Sequence, residues 1–302
     1  MKKAVLGISV VAVLALLFVY FTRPQGERAQ QPIIVVSREV GSGTRGAFVD
    51  IMKVVDEHGD DAITVESDTL NGTSGVMQTV AGNPDAIGYI SYGSLNDSVR
   101  AIAINGVSIS PDAVKKGAYP VARPFNIVWS QSALNPIADD FLTYIFSQEG
   151  QALVEASGYI AVGARPEVGQ THLDVAHVPL KAYEPTQLSG QISIVGSTSL
   201  TPVVEKLAEA YMAHNPKVKI SITSNGSTAG IAAVSDGTAD LGMASRELKV
   251  TEQTQVHSVA MALDGIVIIV NNASSIDDLT FDTVRAIYNG SINDWADVRN
   301  HQ

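Results

Sequence analysis

The sequence contains a turn whose residue types suit the binding of an anion. The stretch "SREVGSGTRGAF", residues 37–48, follows the apolar run "PIIVV" and leads into the helix-like stretch "FVDIM". Ser42, Gly43 and Thr44 would present N–H and O–H donors at the start of this helix, where the helix dipole also favours negative charge. Arg38 precedes them and could donate two parallel hydrogen bonds to an oxyanion. The pattern therefore predicts an oxyanion site.

A matching set of turns lies about 154 residues further along the chain. Residues 71–91, "NGTSGVMQTVAGNPDAIGYIS", and residues 225–245, "NGSTAGIAAVSDGTADLGMAS", both run from Asn-Gly through a hydroxyl pair into an apolar helical stretch and end on Ser. Each is preceded by a strand, a Ser/Thr/Gly turn and a helix, the second being "ISIVGSTSLTPVVEKLAEAY". We therefore expect two α/β lobes built on one plan, with four hydroxyl-rich turns around one cleft.

A buried oxyanion needs many hydrogen-bond donors, because each oxygen loses water when the cleft closes. Neutral donors serve this purpose, and one arginine adds a bidentate contact. The candidate ligands are Arg38, Ser42, Gly43, Thr44, Ser197, Thr198, Ser199, Ser227 and Ser245. Arg45 and Arg246 could also face the cleft.

Two enzymatic alternatives are weaker. Gly41, Gly43 and Gly46 fit G-x-G-x-x-G, and Glu66 follows at the predicted strand "AITVES", as in dinucleotide-binding proteins. However, four residues separate the first strand from Gly41, where that motif requires an immediate turn. Hydrolase motifs such as G-x-S-x-G and H-E-x-x-H do not occur, and the six histidines show no metal or triad spacing. The sequence predicts a binding protein without enzymatic activity, cofactor or metal.

The composition fits a folded, two-lobed protein outside the cytoplasm. The chain has 302 residues and a formal net charge of −11, and it contains no cysteine. Residues 31–302 carry 16 basic and 30 acidic groups, which excludes binding to nucleic acid through phosphate contacts. Lys2 and Lys3 precede an uncharged apolar run from Ala4 to Phe21, the length of a short membrane span. We expect an uncleaved N-terminal transmembrane helix, with a cleaved signal peptide as the alternative.

The predicted organisation follows from these features. It consists of an anchor or signal segment at 1–30, a lobe with the GSGT turn at 31–122, a return segment with helices and a connector at 123–189, and a lobe with the GSTS turn at 190–302.

Several stretches resemble the phosphate-binding proteins of bacterial ABC phosphate importers, the PstS family of type II solute-binding proteins. They include "SREVGSGTRGAF", "AIGYISYGSL", "YPVARPFNIV", "ISIVGSTSLTPVVEKLAEAY" and "LDGIVIIVN". The resemblance implies an α/β Venus-flytrap fold that binds inorganic phosphate between its lobes and delivers it to an ABC permease in the membrane. It also implies that the nine candidate residues are phosphate ligands.

The chain departs from the family in order and in two site positions. In the family "GSTS" comes first, whereas here the GSGT lobe leads, which indicates either a circular permutation or a truncated tandem protein. Ser245 stands where some members place an aspartate that accepts the proton of hydrogen phosphate. Val40 stands where an acidic residue often pairs with the arginine, and Glu39 is a possible substitute. The missing acidic acceptor leaves open a receptor for sulfate or molybdate. Two further alternatives are an anchored phosphate sensor without a transport role, which an uncleaved helix would allow, and an extracellular hydrolase that uses the same turns.

Overall fold

The computed structural model describes residues 31–132, 134–166 and 178–298. The predicted anchor at residues 1–30 lies outside these ranges. Within them, none of the helices combines the length and the apolar character needed to cross a bilayer.

Strands and helices alternate along most of the described chain. The strands are β1 (Ile34–Arg38), β2 (Asp68–Leu70), β3 (Ala86–Ser91), β4 (Arg100–Ala101), β5 (Ala103–Ile104), β6 (Ala122–Ser130), β7 (Ile160–Ala161), β8 (Gly190–Gly196), β9 (Val218–Ser224), β10 (Leu241–Ala244), β11 (Val256–Val270) and β12 (Asp278–Leu279). The helices are α1 (Gly43–Met52), α2 (Gly72–Gly82), α3 (Pro111–Lys115), α4 (Pro136–Ile145), α5 (Gln148–Ala156), α6 (Thr201–His214), α7 (Ser227–Ser235), α8 (Val250–Gln253), α9 (Phe281–Tyr288) and α10 (Trp295–Val298). A 3₁₀ turn follows β3 at Tyr92–Ser94.

One continuous sheet joins the two halves of the molecule. Its strand order is β2-β1-β3-β11-β6-β10-β8-β9, with β4 and β7 also paired to β11. The C-terminal part of β11, Ile266–Val270, pairs antiparallel with β3. Its N-terminal part, from Val256 to Gly265, pairs antiparallel with β6. The 15-residue strand β11 therefore belongs to both halves.

Separate hydrophobic cores define two lobes. The first lobe, residues 31–121 and 266–298, has a core that runs from Ile33 to Val121 and again from Ile266 to Val298, and Ile160 of β7 also packs in this core. The second lobe, residues 125–262, has a core between Phe125 and Ala262. The C-terminal part of the predicted segment 190–302 thus packs in the first lobe, because β11 carries the chain back across. The predicted return segment 123–189 contributes β6, α4 and α5 to the second lobe.

Helix α6 follows its sequence pattern. Val203, Leu207 and Tyr211 are buried against the core of the second lobe, while Glu205 and Lys206 are exposed. The spacing of these residues thus gives the helix one apolar face, which packs on the core, and one charged face in solvent.

The prediction of a strand at "AITVES" is wrong. Thr64 closes a turn there, because its hydroxyl accepts the N–H of Glu66 and its carbonyl accepts the N–H of Ser67. Val65 in this turn is fully exposed, and β2 begins only at Asp68. Glu66 is exposed in the turn and does not end a strand, as the acidic residue of a dinucleotide site would.

Candidate functional site

The predicted ligands come from the ends of parallel strands and the starts of helices. Arg38 is the last residue of β1, Ser197 follows β8, and Ser245 follows β10. Ser42 caps α1, and Ser227 is the first residue of α7. Because β8 and β10 are parallel neighbours, their carboxyl ends lie at one edge of the sheet. The fold places these residues in one region for that reason.

The site residues are removed from solvent. Arg38, Ser42, Gly43, Thr44, Ser197, Ser199, Ser227 and Ser245 are buried, and Thr198 is half-buried. Buried hydroxyl and guanidinium groups are costly unless they are paired. Their hydrogen bonds therefore describe the site.

Three hydrogen bonds join the two lobes across the cleft. Thr44 Oγ1 lies 2.9 Å from Ser199 Oγ, and Arg38 Nη2 donates to Thr198 Oγ1 at 2.9 Å. The N–H of Thr228 donates to the carbonyl of Gly41 at 3.2 Å. The lobes are thus closed, with the GSGT and GSTS turns in direct contact.

Arg38 is fixed by a neighbour in sequence. Its Nε and Nη2 atoms each donate to the Glu39 carboxylate at 2.7 Å, and the Glu39 carboxylate also accepts the N–H of Gly72 at 3.3 Å. Burial acts to raise the pKa of Glu39, but the hydrogen bonds and charge of Arg38 outweigh it, so this pKa lies below its ordinary value. Val40 is 88% exposed. Glu39 therefore takes the place of the acidic partner that the family pattern puts at position 40.

The hydroxyls of the second lobe form an ordered chain. Ser197 Oγ accepts the N–H of Ser199 at 3.2 Å and donates to Ser245 Oγ at 2.9 Å. Ser227 Oγ accepts the N–H of Ser245 at 3.0 Å. Ser227 Oγ and Ser245 Oγ also lie 3.4 Å apart, so one of these two hydroxyls donates to the other and the remaining hydroxyl proton can be donated to a ligand. This side of the site is thus a set of donors without a carboxylate.

Arg45 and Arg246 are engaged outside the cluster of predicted ligands. Arg45 pairs with Asp61 and donates to the carbonyl of Arg38 at 2.8 Å. Arg246 is buried and donates to both carboxylate oxygens of Glu252, at 2.7 and 2.8 Å. Each therefore supports a turn of the site through its neighbours.

Thr73 is a site residue that the sequence analysis missed. Its Oγ1 accepts a long hydrogen bond of 3.4 Å from Arg38 Nη1, and it lies buried in the first turn of α2. The internal repeat contained the signal, because Thr73 follows Asn-Gly as Ser227 does in the second copy.

The described ranges contain no group of three or more His, Cys, Asp or Glu side chains that could hold a metal ion. The arrangement instead offers one guanidinium, several hydroxyls and the first N–H groups of α1, which have no acceptor within their helix. Such a set can bind a small anion through charge-assisted hydrogen bonds.

Comparison with known proteins places the chain in a family. The family model for the PBP superfamily domain matches residues 24–149 and 181–302. The phosphate-binding protein PstS 2 of Streptococcus pneumoniae is 44% identical over 276 residues, which cover 90% of each chain. The phosphate-binding protein PstS of Bacillus subtilis is 32% identical over 134 residues, covering 44% of this chain and 42% of that protein.

A solved structure agrees with the sequence comparison. The crystal structure of a phosphate-binding protein of a phosphate ABC transporter from Streptococcus pneumoniae matches with a TM-score of 0.69 and 42% identity, over 88% of this chain and 99% of that one. The chain therefore belongs to the PBP superfamily and, within it, to the PstS family of phosphate-binding proteins.

Proposed function

We propose that this protein binds inorganic phosphate outside the cytoplasm and delivers it to the permease of an ABC transporter. The observation that carries the proposal is the closed cluster of Arg38 with the hydroxyls and helix N-termini of both lobes. The nine predicted residues act as the phosphate ligands, and Thr73 and Glu39 hold Arg38 in place. The residues around the ion bind it and perform no reaction.

The physical basis is a balance between lost water and gained donors. An isolated ion in a dry cleft is costly, whereas each hydrogen bond to a charged group contributes about 1.5–3 kcal/mol. Donors from both lobes are satisfied together only in the closed form, so ligand binding favours closure. The acidic surface does not prevent this, since charges beyond about 8–10 Å are largely screened at physiological salt.

The family relationship supports the cellular role. The relatives are named phosphate-binding proteins, and the matching solved structure is that of a phosphate ABC transporter component. Transport from outside the membrane requires the lobes to face the exterior, and an N-terminal helix within residues 1–30 would hold them near the permease. This anchor is part of the proposal.

Sulfate is the second candidate ligand, and Ser245 is the observation that favours it. Hydrogen phosphate carries a proton that needs an acceptor, whereas sulfate requires donors only. The hydrogen-bonded chain of Ser197, Ser245 and Ser227 consists of hydroxyl groups and contains no carboxylate that could accept this proton. The site therefore has little means of rejecting sulfate through an unpaired acceptor.

Calorimetry on the ligand-free protein tests the function directly. We expect phosphate to bind, with sulfate as a competitor and molybdate as the third ion in the comparison. A preference for sulfate over phosphate at neutral pH would overturn the phosphate assignment, and binding of none of these ions would overturn the oxyanion site itself.

We expect Ser245→Asp to make the site selective for phosphate. A carboxylate here would accept the proton of hydrogen phosphate but would face sulfate without a partner, so sulfate affinity should fall by about tenfold or more relative to phosphate. Ser245→Ala is the matched control, since loss of the hydroxyl should weaken both ions alike. Competition calorimetry measures the ratio, and an unchanged ratio in Ser245→Asp would contradict the role given to this position.

A further inference from the structure

A buried ion pair lies behind the site and outside the set of ligands. Arg123 donates from Nε and Nη2 to Asp264 Oδ2, at 3.1 and 2.9 Å, and the two side chains are 1% and 0% exposed. Burial raises the pKa of Asp264 and lowers the pKa of Arg123, and the charge of each partner opposes that shift. Two charges withdrawn from water in this way stabilise a fold little compared with apolar side chains. Their presence therefore calls for a role other than stability.

The pair lies where the chain crosses between the lobes. Arg123 on β6 and Asp264 on β11 are directly opposite in the antiparallel register. The neighbours of this pair lead into different cores, since Val121 and Ile266 are buried in the first lobe and Phe125 and Ala262 in the second. Any hinge motion about the two crossing strands must bend the backbone next to this pair.

Arg123 also holds the site. Its third donor, Nη1, binds the carbonyl of Ser245 at 3.0 Å. Further along the same strand, Asn126 Nδ2 donates to the carbonyl of Arg246 at 2.9 Å. Strand β6 thus fixes two consecutive carbonyls of the turn that carries the Ser245 hydroxyl.

Asp264 reaches the corresponding place in the first lobe. The Ser91 hydroxyl and the Gly93 N–H lie near enough to the Asp264 carboxylate to lower its pKa, against the larger effect of burial. Asp264 Oδ1 and Ser91 Oγ are nevertheless both buried without a hydrogen-bond partner in this closed form. Ser91 and Ser245 are the closing serines of the two repeated segments. The ion pair therefore binds the main chain of Ser245 in one lobe and lies near Ser91, the equivalent position, in the other.

Tyr159 adds a second contact of the same kind. Its hydroxyl donates to the carbonyl of Ser199 at 3.2 Å. Burial, followed by the nearby charge of Asp264, raises the pKa of Tyr159, so the phenol remains a donor. The GSTS turn and the turn after β10 are thus both held at main-chain carbonyls by side chains from the region of the pair.

We propose that Arg123 and Asp264 are positioning residues for oxyanion binding, which set the orientation of Ser245 according to the angle between the lobes. Asp264 fixes the guanidinium of Arg123 by accepting hydrogen bonds from Nε and Nη2. The hydrogen bond from Nη1 then determines where the Ser245 backbone lies. Ser245 meets the ligand only when the hinge has brought the pair into the closed geometry. This inference rests on the proposed function.

Two variants separate positioning from stability. In Arg123→Lys the charge remains, but an ammonium lacks the planar fork that reaches Asp264 and the Ser245 carbonyl together. In Arg123→Met/Asp264→Leu both charges are replaced by apolar side chains, which keeps the interior free of an unpaired charge. Arg100→Met is the matched control, because Arg100 also pairs with an aspartate and holds two carbonyls, at Ser274 and Ile276, away from the site.

The readouts are phosphate affinity by calorimetry, phosphate dissociation rate by stopped flow, and the thermal midpoint of the ligand-free protein. We expect both site variants to bind phosphate about tenfold more weakly, through faster dissociation, while the Arg100→Met control binds as the wild type does. The midpoint of Arg123→Lys should stay close to that of the wild type, so this variant decides the question even if the double variant fails to fold.

The outcomes are distinguishable. Wild-type affinity and dissociation rate in Arg123→Lys would overturn the positioning role while leaving the proposed function intact. An equal loss in the Arg100→Met control would also overturn it, because the effect would then be unspecific. If the wild-type protein binds no oxyanion, the proposed function falls and the positioning role falls with it.

Discussion

Gly43→Val should abolish high-affinity phosphate binding without destabilising the ligand-free protein. A Cβ atom at Gly43 would lie 2.1 Å from Ser227 Oγ and 2.6 Å from Ser245 Oγ, both on the opposite lobe. Such overlap prevents the closed arrangement or turns both hydroxyls away from the ion. Overpacking of this kind costs about 3 kcal/mol, which corresponds to about 100-fold in the dissociation constant.

The thermal stability of ligand-free Gly43→Val tests whether the clash arises only in the closed form. The nearest atoms to the added Cβ belong to the other lobe, so opening the cleft removes the clash. Gly82→Val serves as the control, because Gly82 ends α2 on the surface and nothing lies within 4 Å of its Cβ position. Calorimetry and thermal unfolding on both variants check the prediction. Phosphate affinity within a few-fold of the wild type in Gly43→Val would show that the lobes do not close as described.

Arg38→Met should weaken phosphate binding by about 100-fold or more. Arg38 is the only charged side chain among the nine predicted ligands, and hydrogen bonds to charged groups contribute about 1.5–3 kcal/mol each. The substitution also removes the donor that reaches Thr198 across the cleft, so closure loses one of its contacts. Arg38→Lys should recover only part of the affinity, because an ammonium cannot donate in the fork geometry.

A stability effect must be separated from the loss of binding in this variant. Without Arg38, the half-buried Glu39 carboxylate loses its ion pair and its pKa rises towards the value that burial favours. The double variant Arg38→Met/Glu39→Gln removes this unpaired charge and should recover thermal stability without recovering phosphate affinity. Recovery of both together would contradict a direct role of Arg38 in binding the ion.

The half-length match to the Bacillus subtilis protein bears on the predicted lobe order. When two proteins carry the same lobes in exchanged order, a linear sequence alignment can match only one lobe at a time. The alignment with the Bacillus subtilis protein covers 44% of this chain. The pneumococcal PstS 2 protein instead matches over 90% of both chains. These coverages are consistent with an exchanged order, which stays a prediction.

The sequence by itself determined the candidate ligands and the two-lobed plan, because their signals are local. The end of a strand, a hydroxyl-rich turn and the first turn of a helix follow one another within about a dozen residues. The positions of Ser42 and Ser227 at helix N-termini therefore depend on the local sequence alone. The repeat of that pattern predicted that the turns would meet. It also contained Thr73, which a closer comparison of the two copies identifies.

Only the tertiary structure decided which charged residues contact the site and which segments of the chain belong to each lobe. Glu39, and not Val40, binds Arg38, since the chain turns directly after β1, where the N–H of Ser42 donates to the carbonyl of Glu39, and this turn leaves Val40 in solvent. Arg123 and Asp264 lie 141 residues apart and meet through strand register. Local sequence carries no information on such a pairing, because it arises only when β11 crosses from one lobe to the other.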